Sequence, residues 1–412
     1  MRRLTRLLLP LVPWAMLGVA LWRRITGAEP PEAWLERLGR RPAPTDPTLW
    51  LHGASNGELA SARWVIEAVL AARPTLHLLV TCNTLTARTM VKSWSLPRVT
   101  AAFAPLDLAG PLARLLTTWC PKALITVEGE IYPRRFAACA QAGIPVALIG
   151  ARMSERSYRG WAELQPVMAR ALAAVQIASA QDAASEDRLR KLGLPAHRLH
   201  ALCDLKAVAT GRLPQPNLPP RDLRATTLLA ASTHADEEAI VLDAFVAQSQ
   251  FTRLIIAPRH PRRADAVAAL VKARGLTCTR RSTGAWPGTA PADAQVFLAD
   301  TMGEMDLWYA SAGACFVGGS FAVRGGHTPW EPARFASAIL HGPSVANFAG
   351  PYAALDAAGG TEALTSPDQL AATLNRLTPA RQIALSSAAA QILHALTTET
   401  HLIDDLMMAC GL

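Results

Sequence analysis

The stretch Thr48–Ala72, TLWLHGASNGELASARWVIEAVLAA, decides the fold, because it joins an apolar strand to an amphipathic helix through a short polar turn. Ser55 and Glu58 have the spacing of a capping box, in which the serine accepts from the helix backbone and the glutamate reaches back to free donors. The turn also follows a strand of a predicted parallel sheet, at the edge where open α/β folds bind their ligands. From this stretch alone, Glu58 is either a helix cap or a general base.

Length and charge limit the classes of protein. A chain of 412 residues, half of them hydrophobic, is long enough for two domains with full cores. The net charge is +9, and residues 1–45 hold eight arginines against three glutamates. Elsewhere no basic stripe interleaves with aromatic residues, so the sequence predicts no nucleic-acid partner and favours an anionic membrane surface. The seven scattered cysteines lack metal-ligand spacing and predict neither a disulfide framework nor a metal site.

The N-terminal segment carries a membrane signal. Residues 7–22, LLLPLVPWAMLGVALW, are uncharged and are bracketed by arginines at positions 2, 3, 6, 23 and 24. A spanning helix needs about 20 apolar residues, and Pro10 and Pro13 would kink this one. We predict that residues 1–27 form a retained anchor that either spans the membrane or lies in its interface. The alternative is a buried helix that covers the first domain.

Apolar strands alternate with helical patterns in two series, which predicts an α/β fold with two Rossmann-like domains. The first domain is predicted at 28–212, a proline-rich linker at 213–225 and the second domain at 226–412, with a last helix that returns to the first domain. The predicted strands are Leu49–Leu51, His77–Thr81, Ala123–Val127, Val146–Ile149, Ala174–Ile177, Thr227–Ala231, Arg253–Ala257, Ala294–Leu298, Cys315–Gly318 and Ala338–Leu340. Helices are predicted near 57–72, 84–93, 108–119, 133–142, 155–172 and 182–192.

Polar residues follow the predicted strands of the first domain. Glu128 and Glu130 in EGEIYP are one residue apart and would point the same way on an extended segment, although a solvated edge explains them as well. Ser154 and Arg156 in GARMSERS can hold an anionic acceptor, but Ser154 is equally suited to cap the next helix.

The loops of the second domain suit a nucleotide. ASTHADEE opens a helix after a strand, so its backbone donors favour a phosphate, with Ser232 and Thr233 as hydroxyl donors or as plain helix caps. Arg259 in APRHP is a candidate phosphate clamp, with an ordinary surface arginine as the alternative. The remaining candidates lie in MGE and GGHTPWEP, and they are Met302, Gly303, Glu304, Gly326, His327 and Glu331.

Eight segments in this order resemble those of the Kdo (3-deoxy-D-manno-octulosonic acid) transferases, which are GT-B glycosyltransferases with two domains facing across a cleft. They are HGASNGE, EGEIYP, GARMSERS, ASTHADEE, APRHP, DTMGEM, FVGGS and GGHTPWEP, and they run from about Leu49 to Tyr352. The resemblance implies transfer of Kdo from CMP-Kdo to a lipid A precursor in lipopolysaccharide synthesis. It further implies the cytoplasmic face of the inner membrane, inversion at the sugar, and neither metal nor cofactor.

Residue roles also follow from the resemblance. Glu58 matches the position of the family's general base, and Ser232 and Thr233 match its anion loop. The positions that surround CMP in the family are matched by Arg259, Met302, Gly303, His327 and Glu331. The sequence departs from the family's pattern at Asn56, Gly129 and Thr328, and it lacks the usual Gly-Asn near residues 204–206. A GT-B enzyme with another nucleotide sugar or lipid acceptor, or a non-catalytic sugar-nucleotide-binding paralogue, is the alternative.

Overall fold

The computed structural model describes residues 12–214, 216–284, 295–398 and 401–412. Their contacts divide them into two compact units, the first formed by 12–209 with 401–412 and the second by the described residues from 210 to 398. Each unit is built around a parallel β-sheet. The predicted α/β fold with two parallel-sheet domains is therefore confirmed.

The sheet of the first unit has the strand order β3-β2-β1-β4-β5-β6. All five residues of β1 are buried, with Leu49 and Leu51 in one core cluster and Trp50 in the other. Both faces of the sheet are therefore covered, which explains why the strands are continuous apolar runs. The strands are β1 Thr48–His52, β2 His77–Cys82, β3 Val99–Phe103, β4 Leu124–Val127, β5 Val146–Ala151 and β6 Val175–Ala180.

Helices connect these strands. They are α1 Val12–Ile25, α2 Pro31–Arg37, α3 Asn56–Ala72, α4 Leu85–Ser93, α5 Ala109–Trp119, α6 Pro133–Gln141, α7 Glu155–Ala162, α8 Gln165–Leu172, α9 Ala183–Leu192 and α10 Leu205–Gly211. The single helix predicted over 155–172 is two, because the backbone leaves helical geometry at Leu164 and Pro166 begins a new helix. Strand β3 was not predicted, since it is short, lies at the sheet edge and begins half-buried.

The second unit has seven parallel strands in the order β13-β12-β11-β7-β8-β10-β9. They are β7 Thr227–Thr233, β8 Arg253–Pro258, β9 Cys278–Arg280, β10 Val296–Leu298, β11 Ala314–Val317, β12 Ala338–His341 and β13 Thr361–Ala363. Its helices are α11 Arg221–Ala225, α12 Ala235–Val246, α13 Ala264–Ala273, α14 Met305–Ser311, α15 Trp330–Arg334, α16 Ala349–Ala357, α17 Gln369–Arg376 and α18 Pro379–Thr398. The three-residue edge strands β9 and β13 were not predicted.

Two domain boundaries differ from the prediction. The predicted linker 213–225 ends in α11, whose buried Arg224 donates to the carbonyls of Ala312 at 2.7 Å and Phe335 at 2.6 Å. The last helix, α19 Leu402–Ala409, belongs to the first unit rather than to 226–412. Its apolar face lies in the first unit's core, as expected of a helix that returns to that domain.

The predicted N-terminal anchor falls only partly within the described residues, because residues 1–11 lie outside them. Helix α1 leaves large apolar side chains exposed, namely Val19, Leu21, Trp22 and Ile25. Within the ranges that the structure covers, no helix has both the length and the apolar character needed to cross a membrane.

Candidate active site

The strand order of the first sheet reverses between β1 and β4. The loop after β1 leads to Glu58, and the loop after β4 carries Glu128 and Glu130. Open α/β sheets bind ligands outside the carboxyl ends of their strands, at the point where the order reverses. The three carboxylates therefore lie where this kind of sheet forms a binding site.

The Glu58 side chain folds back onto the turn that precedes α3. Its Oε2 accepts from the backbone nitrogen of Ala54 at 2.7 Å, and its Oε1 accepts from Ser55 Oγ at 3.0 Å. Burial, with repulsion from Glu130 and Glu128, raises the pKa of Glu58 to about 7, although both hydrogen bonds act to lower it. A carboxyl group with this pKa can exchange a proton near neutral pH. Capping and proton transfer are thus compatible roles for one side chain.

Glu128 and Glu130 have separate partners. Glu128 has a φ of +55°, so the extended backbone expected of this segment is interrupted there. Its Oε1 pairs with Lys206 Nζ at 2.9 Å, whereas Glu130 Oε2 accepts from Tyr132 Oη at 2.6 Å. Their side chains are 11% and 20% exposed, which is less than a solvated edge requires.

His52 belongs to this site and was not predicted. It is fully buried at the end of β1, with Nδ1 2.9 Å from Thr81 Oγ1 and Nε2 3.5 Å from Glu130 Oε2. Thr81 Oγ1 accepts from Trp50 Nε1 at 2.8 Å, and its own proton can go to His52 Nδ1 or to the carbonyl of Leu51 at 3.4 Å. Burial and the positive charge of Arg135 lower the pKa of His52 to about 4, so the imidazole is neutral. A histidine at the end of an otherwise apolar, buried strand is the sequence feature that could have indicated this site residue.

The third predicted segment contains a helix cap. Ser154 Oγ accepts from the backbone nitrogen of Ser157 at 3.1 Å at the start of α7, which is the capping alternative. Arg156 is exposed on the same helix. An acceptor-binding role for these two residues stays a prediction.

The second sheet reverses its order between β7 and β11. Ser232 has a φ of +55°, and the register of β7 against β8 shifts beside it. Thr233 Oγ1 is buried without a hydrogen-bond partner among the described residues. A Cβ atom at Gly318 would lie 2.6 Å from the carbonyl oxygen of Ser232, so glycine is required where the two loops meet. This edge is the counterpart of the carboxylate edge in the first unit.

Glu237 joins these two loops, and sequence analysis did not single it out. The residue is fully buried in the first turn of α12. Its carboxylate accepts from the backbone nitrogens of Gly319 at 2.7 Å, Ser320 at 2.9 Å and Phe321 at 3.0 Å. It also accepts from the backbone nitrogen of His234 at 3.1 Å. One carboxylate therefore fixes the glycine loop against the start of a helix.

His327 lies beside the same helix start. Its ring stacks on that of His234 with an interplanar angle of 3°, and their Nε2 atoms are 3.4 Å apart. Burial and the neighbouring His234 and Arg259 lower the pKa of His327 to about 4. Arg259 is exposed, and its backbone nitrogen donates to the carbonyl of Thr233 at 3.0 Å. The structure thus brings three predicted donor-binding residues together, namely Thr233, Arg259 and His327.

The other predicted donor-binding residues occupy two loops. Met302 is 72% exposed. The carboxylate of Glu304 accepts bidentate hydrogen bonds from Arg281, with Nη2 2.8 Å from Oε1 and Nε 3.2 Å from Oε2. Gly326 has a φ of +72°, and its nitrogen donates to the carbonyl of Gly319 at 2.8 Å. The carboxylate of the exposed Glu331 accepts from Tyr309 Oη at 3.0 Å. Gly303, at φ +87°, lies in the turn before α14.

The architecture defines the class of protein. A solved structure of MurG from Acinetobacter baumannii is similar, with a TM-score of 0.54 over 87% of this chain and 98% of that chain, at 14% sequence identity. At that identity the likeness shows the fold alone. Two parallel-sheet α/β domains of this kind form a GT-B fold.

Sequence comparison defines the family. The family profile described as 3-Deoxy-D-manno-octulosonic-acid transferase (kdotransferase) matches residues 32–209. The 3-deoxy-D-manno-octulosonic acid transferase of Bordetella pertussis is 32% identical over 85% of this chain and 84% of its own length. That of Haemophilus influenzae is 30% identical over 75% of this chain and 74% of its own. The chain therefore belongs to the 3-deoxy-D-manno-octulosonic acid transferase family and is a glycosyltransferase.

Proposed function

We propose that this protein transfers Kdo from CMP-Kdo to a lipid A precursor, with inversion at the sugar and with Glu58 as the general base. The observation that carries the proposal is the Glu58 carboxyl group, whose pKa is raised to about 7 at the reversal point of the first sheet. The ideal base has a pKa near the working pH. Family membership supplies the sugar, and the donor and acceptor are part of the proposal.

The proposed step is a single displacement. The oxygen of an acceptor hydroxyl attacks the anomeric carbon of Kdo, and the bond from that carbon to the phosphate oxygen breaks. CMP leaves with the bonding electron pair, and Glu58 takes the hydroxyl proton as the new glycosidic bond forms. Glu58 returns the proton to solvent before the next turnover. No oxidant or reductant is needed.

The second domain supplies the proposed donor contacts. The start of α12 offers backbone N–H groups, and its helix dipole favours a phosphate next to Ser232 and Thr233. The exposed Arg259 can pair with that phosphate, while the exposed Glu331 can accept from ribose hydroxyls. His327 is neutral at physiological pH and can donate or accept a hydrogen bond without adding charge.

The first domain carries the proposed contacts with the acceptor and with the membrane. Glu128, Glu130, Ser154 and Arg156 are the proposed acceptor-binding residues, and Arg156 offers an exposed cation for the phosphates of a lipid A precursor. The exposed apolar side chains of α1, together with Arg24, suit an anionic bilayer surface. We place the enzyme at the cytoplasmic face of the inner membrane.

Incubation with CMP-Kdo and a tetraacyl lipid A precursor tests the proposal. Wild-type protein should release CMP and add the mass of Kdo to the lipid, whereas Glu58→Gln should be slower by about 100-fold or more. Glu67→Gln is the matched control, because Glu67 lies on the same helix and pairs with Arg63 at the surface. A folded Glu58→Gln protein with wild-type turnover would contradict the assignment of Glu58 as the general base. CMP binding without turnover on any sugar nucleotide would favour a non-catalytic paralogue, and turnover with another donor would redefine the substrate.

A further inference from the structure

A buried arginine at the end of α2 reaches the carboxyl edge of the first sheet. Arg37, the last residue of α2, is 8% exposed, and its Nη2 donates to Glu29 Oε1 at 2.9 Å. The same Nη2 donates to the carbonyl of Asn83 at 3.1 Å, and Nη1 donates to the carbonyl of Ala104 at 3.3 Å. Asn83 directly follows β2, and Ala104 directly follows β3. One guanidinium group therefore joins α2 and the loop before it to two loops of the ligand-binding edge.

Asn83 stands between Arg37 and the carboxylates of the site. Its backbone nitrogen donates to the carbonyl of Ala54 at 3.0 Å, and the nitrogen of Ala54 in turn donates to Glu58 Oε2 at 2.7 Å. The Asn83 side chain donates to Tyr132 Oη at 3.1 Å, and that hydroxyl donates to Glu130 at 2.6 Å. Both hydrogen-bond paths begin at the residue whose carbonyl Arg37 holds.

We propose that Arg37 is a positioning residue for the transfer reaction, which holds Asn83 so that the Ala54 turn keeps Glu58 in its reactive orientation. The inference rests on the proposed role of Glu58 as the base. Arg37 suits this task because a planar guanidinium group presents five N–H donors in a fixed fork on three nitrogens, whereas a lysine has three donors on one nitrogen. Helix α2, which follows the predicted membrane anchor, then supports the catalytic site.

The sign of the expected pH effect follows from the charges around Glu58. The carboxyl group faces Glu128, which pairs with Lys206, and Glu130, which lies beside the neutral His52. The Ala54 N–H favours the ionised form of Glu58, so a loosened turn weakens this bond and raises the pKa of Glu58 further. The acidic limb of the kcat profile should then move to higher pH.

The control residue is Arg88, which shares the surroundings of Arg37 without touching Asn83. Arg88 Nη2 donates to the buried Glu36 of α2 at 2.8 Å, and its guanidinium lies 5.3 Å from the Phe103 ring. Arg37 lies 4.7 Å from the same ring. Each arginine is buried and pairs with a buried glutamate: Arg37 with Glu29 in the loop before α2, and Arg88 with Glu36 in α2. Removing either arginine should therefore cost a similar amount of stability.

The experiment compares Arg37→Met and Arg88→Met in the full chain. Arg37→Met should lower kcat about tenfold, move the acidic limb upward by about half a pH unit and leave the KM for CMP-Kdo within about twofold. Arg88→Met should lower thermal stability to a similar extent with kcat and the acidic limb unchanged. Equal kinetic effects in both variants, or a wild-type kcat and acidic limb in folded Arg37→Met, would overturn the inference.

Two further measurements keep the test decisive. If Arg37→Met does not fold, Arg37→Lys replaces it, with the same direction of change expected because a single nitrogen replaces the two that reach Asn83 and Ala104. Carbon-13 NMR of the glutamate carboxyl groups, assigned with Glu58→Gln, measures the pKa of Glu58 directly. An unchanged pKa in the Arg37 variant refutes the coupling. A shifted pKa together with an active Glu58→Gln enzyme refutes the proposed base instead.

Discussion

Glu237 Oε2 lies 2.7 Å from the backbone nitrogen of Gly319, so a fully buried carboxylate holds a loop 82 positions further along the chain. We expect Glu237→Gln to lower the free energy of unfolding by about 2–4 kcal/mol, because an amide nitrogen would face backbone donors. CMP affinity should fall by about tenfold or more, since the loop is no longer fixed. Urea denaturation and calorimetry measure the two effects.

Glu238→Gln is the control for that prediction. Glu238 is its equally buried neighbour on α12, but its partner is Arg263 at 2.6 Å. It should lose stability and keep its CMP affinity. Equal losses of affinity in both variants would mean that Glu237 supports the domain without shaping the donor site.

Stability should depend on pH through Glu58. The pKa of Glu58 in the folded protein, about 7, lies above its usual value of 4.5, so the folded state holds the proton more tightly than the unfolded state. The Glu58 contribution to stability is thus fully present at low pH and is lost as pH rises from about 4.5 to about 7. Its size is at most about 3.5 kcal/mol, at about 1.4 kcal/mol for each pKa unit.

Denaturation of wild-type and Glu58→Gln protein between about pH 5 and pH 8 tests this dependence. The wild-type protein should lose stability across this range relative to the variant. A stability difference that does not change with pH would show that the carboxyl group has an ordinary pKa. Glu67→Gln, on the same helix, should follow the wild type at every pH.

Donor binding should depend on Arg259 and Glu331. Arg259→Ala and Glu331→Ala should each weaken CMP binding by about 10- to 100-fold without unfolding the domain, because each removes a charged hydrogen-bond partner. Arg262→Ala is the control, as another exposed arginine three positions further along. Calorimetry that finds wild-type affinity in both test variants would move the nucleotide to another part of the protein.

Membrane attachment should depend on the first 24 residues. Protein lacking them should stay in the supernatant with vesicles of anionic phospholipid, and the full chain should sediment. The point variant Trp22→Ser/Ile25→Ser tests the exposed face of α1 alone, and each side chain removed should cost about 1.5–3 kcal/mol of apolar burial. Full sedimentation of the truncated protein would assign binding to another surface.

Local signals predicted much of the fold. β1 and α3 were predictable because a buried apolar strand and the Ser55 cap both lie within a few residues of the turn. The short edge strands β9 and β13 escaped because three residues carry too little pattern to distinguish them from loops. The break at Leu164 could have been predicted from Pro166, because helices usually end at or before the residue that precedes a proline.

The site was predictable where one segment contains the chemistry. Glu58, Arg259 and His327 each follow a strand or lie in a glycine-containing loop, so their places could be predicted from pattern and family resemblance. The contacts of Glu237 with Gly319 and of Arg37 with Asn83 join residues 82 and 46 positions apart. No local pattern shows such pairs, because they arise only when the strands are ordered in a sheet.

Helix α19 has a consequence for how the protein is made. Leu402 and Leu406 fill the first domain's core, yet they are translated only after residues 210–398. At about 5–20 residues per second, a ribosome needs roughly 10–40 s for that intervening stretch. During this time the nascent first domain exposes the apolar core residues that α19 will cover. The first domain therefore completes its core only after the chain of the second domain has been translated.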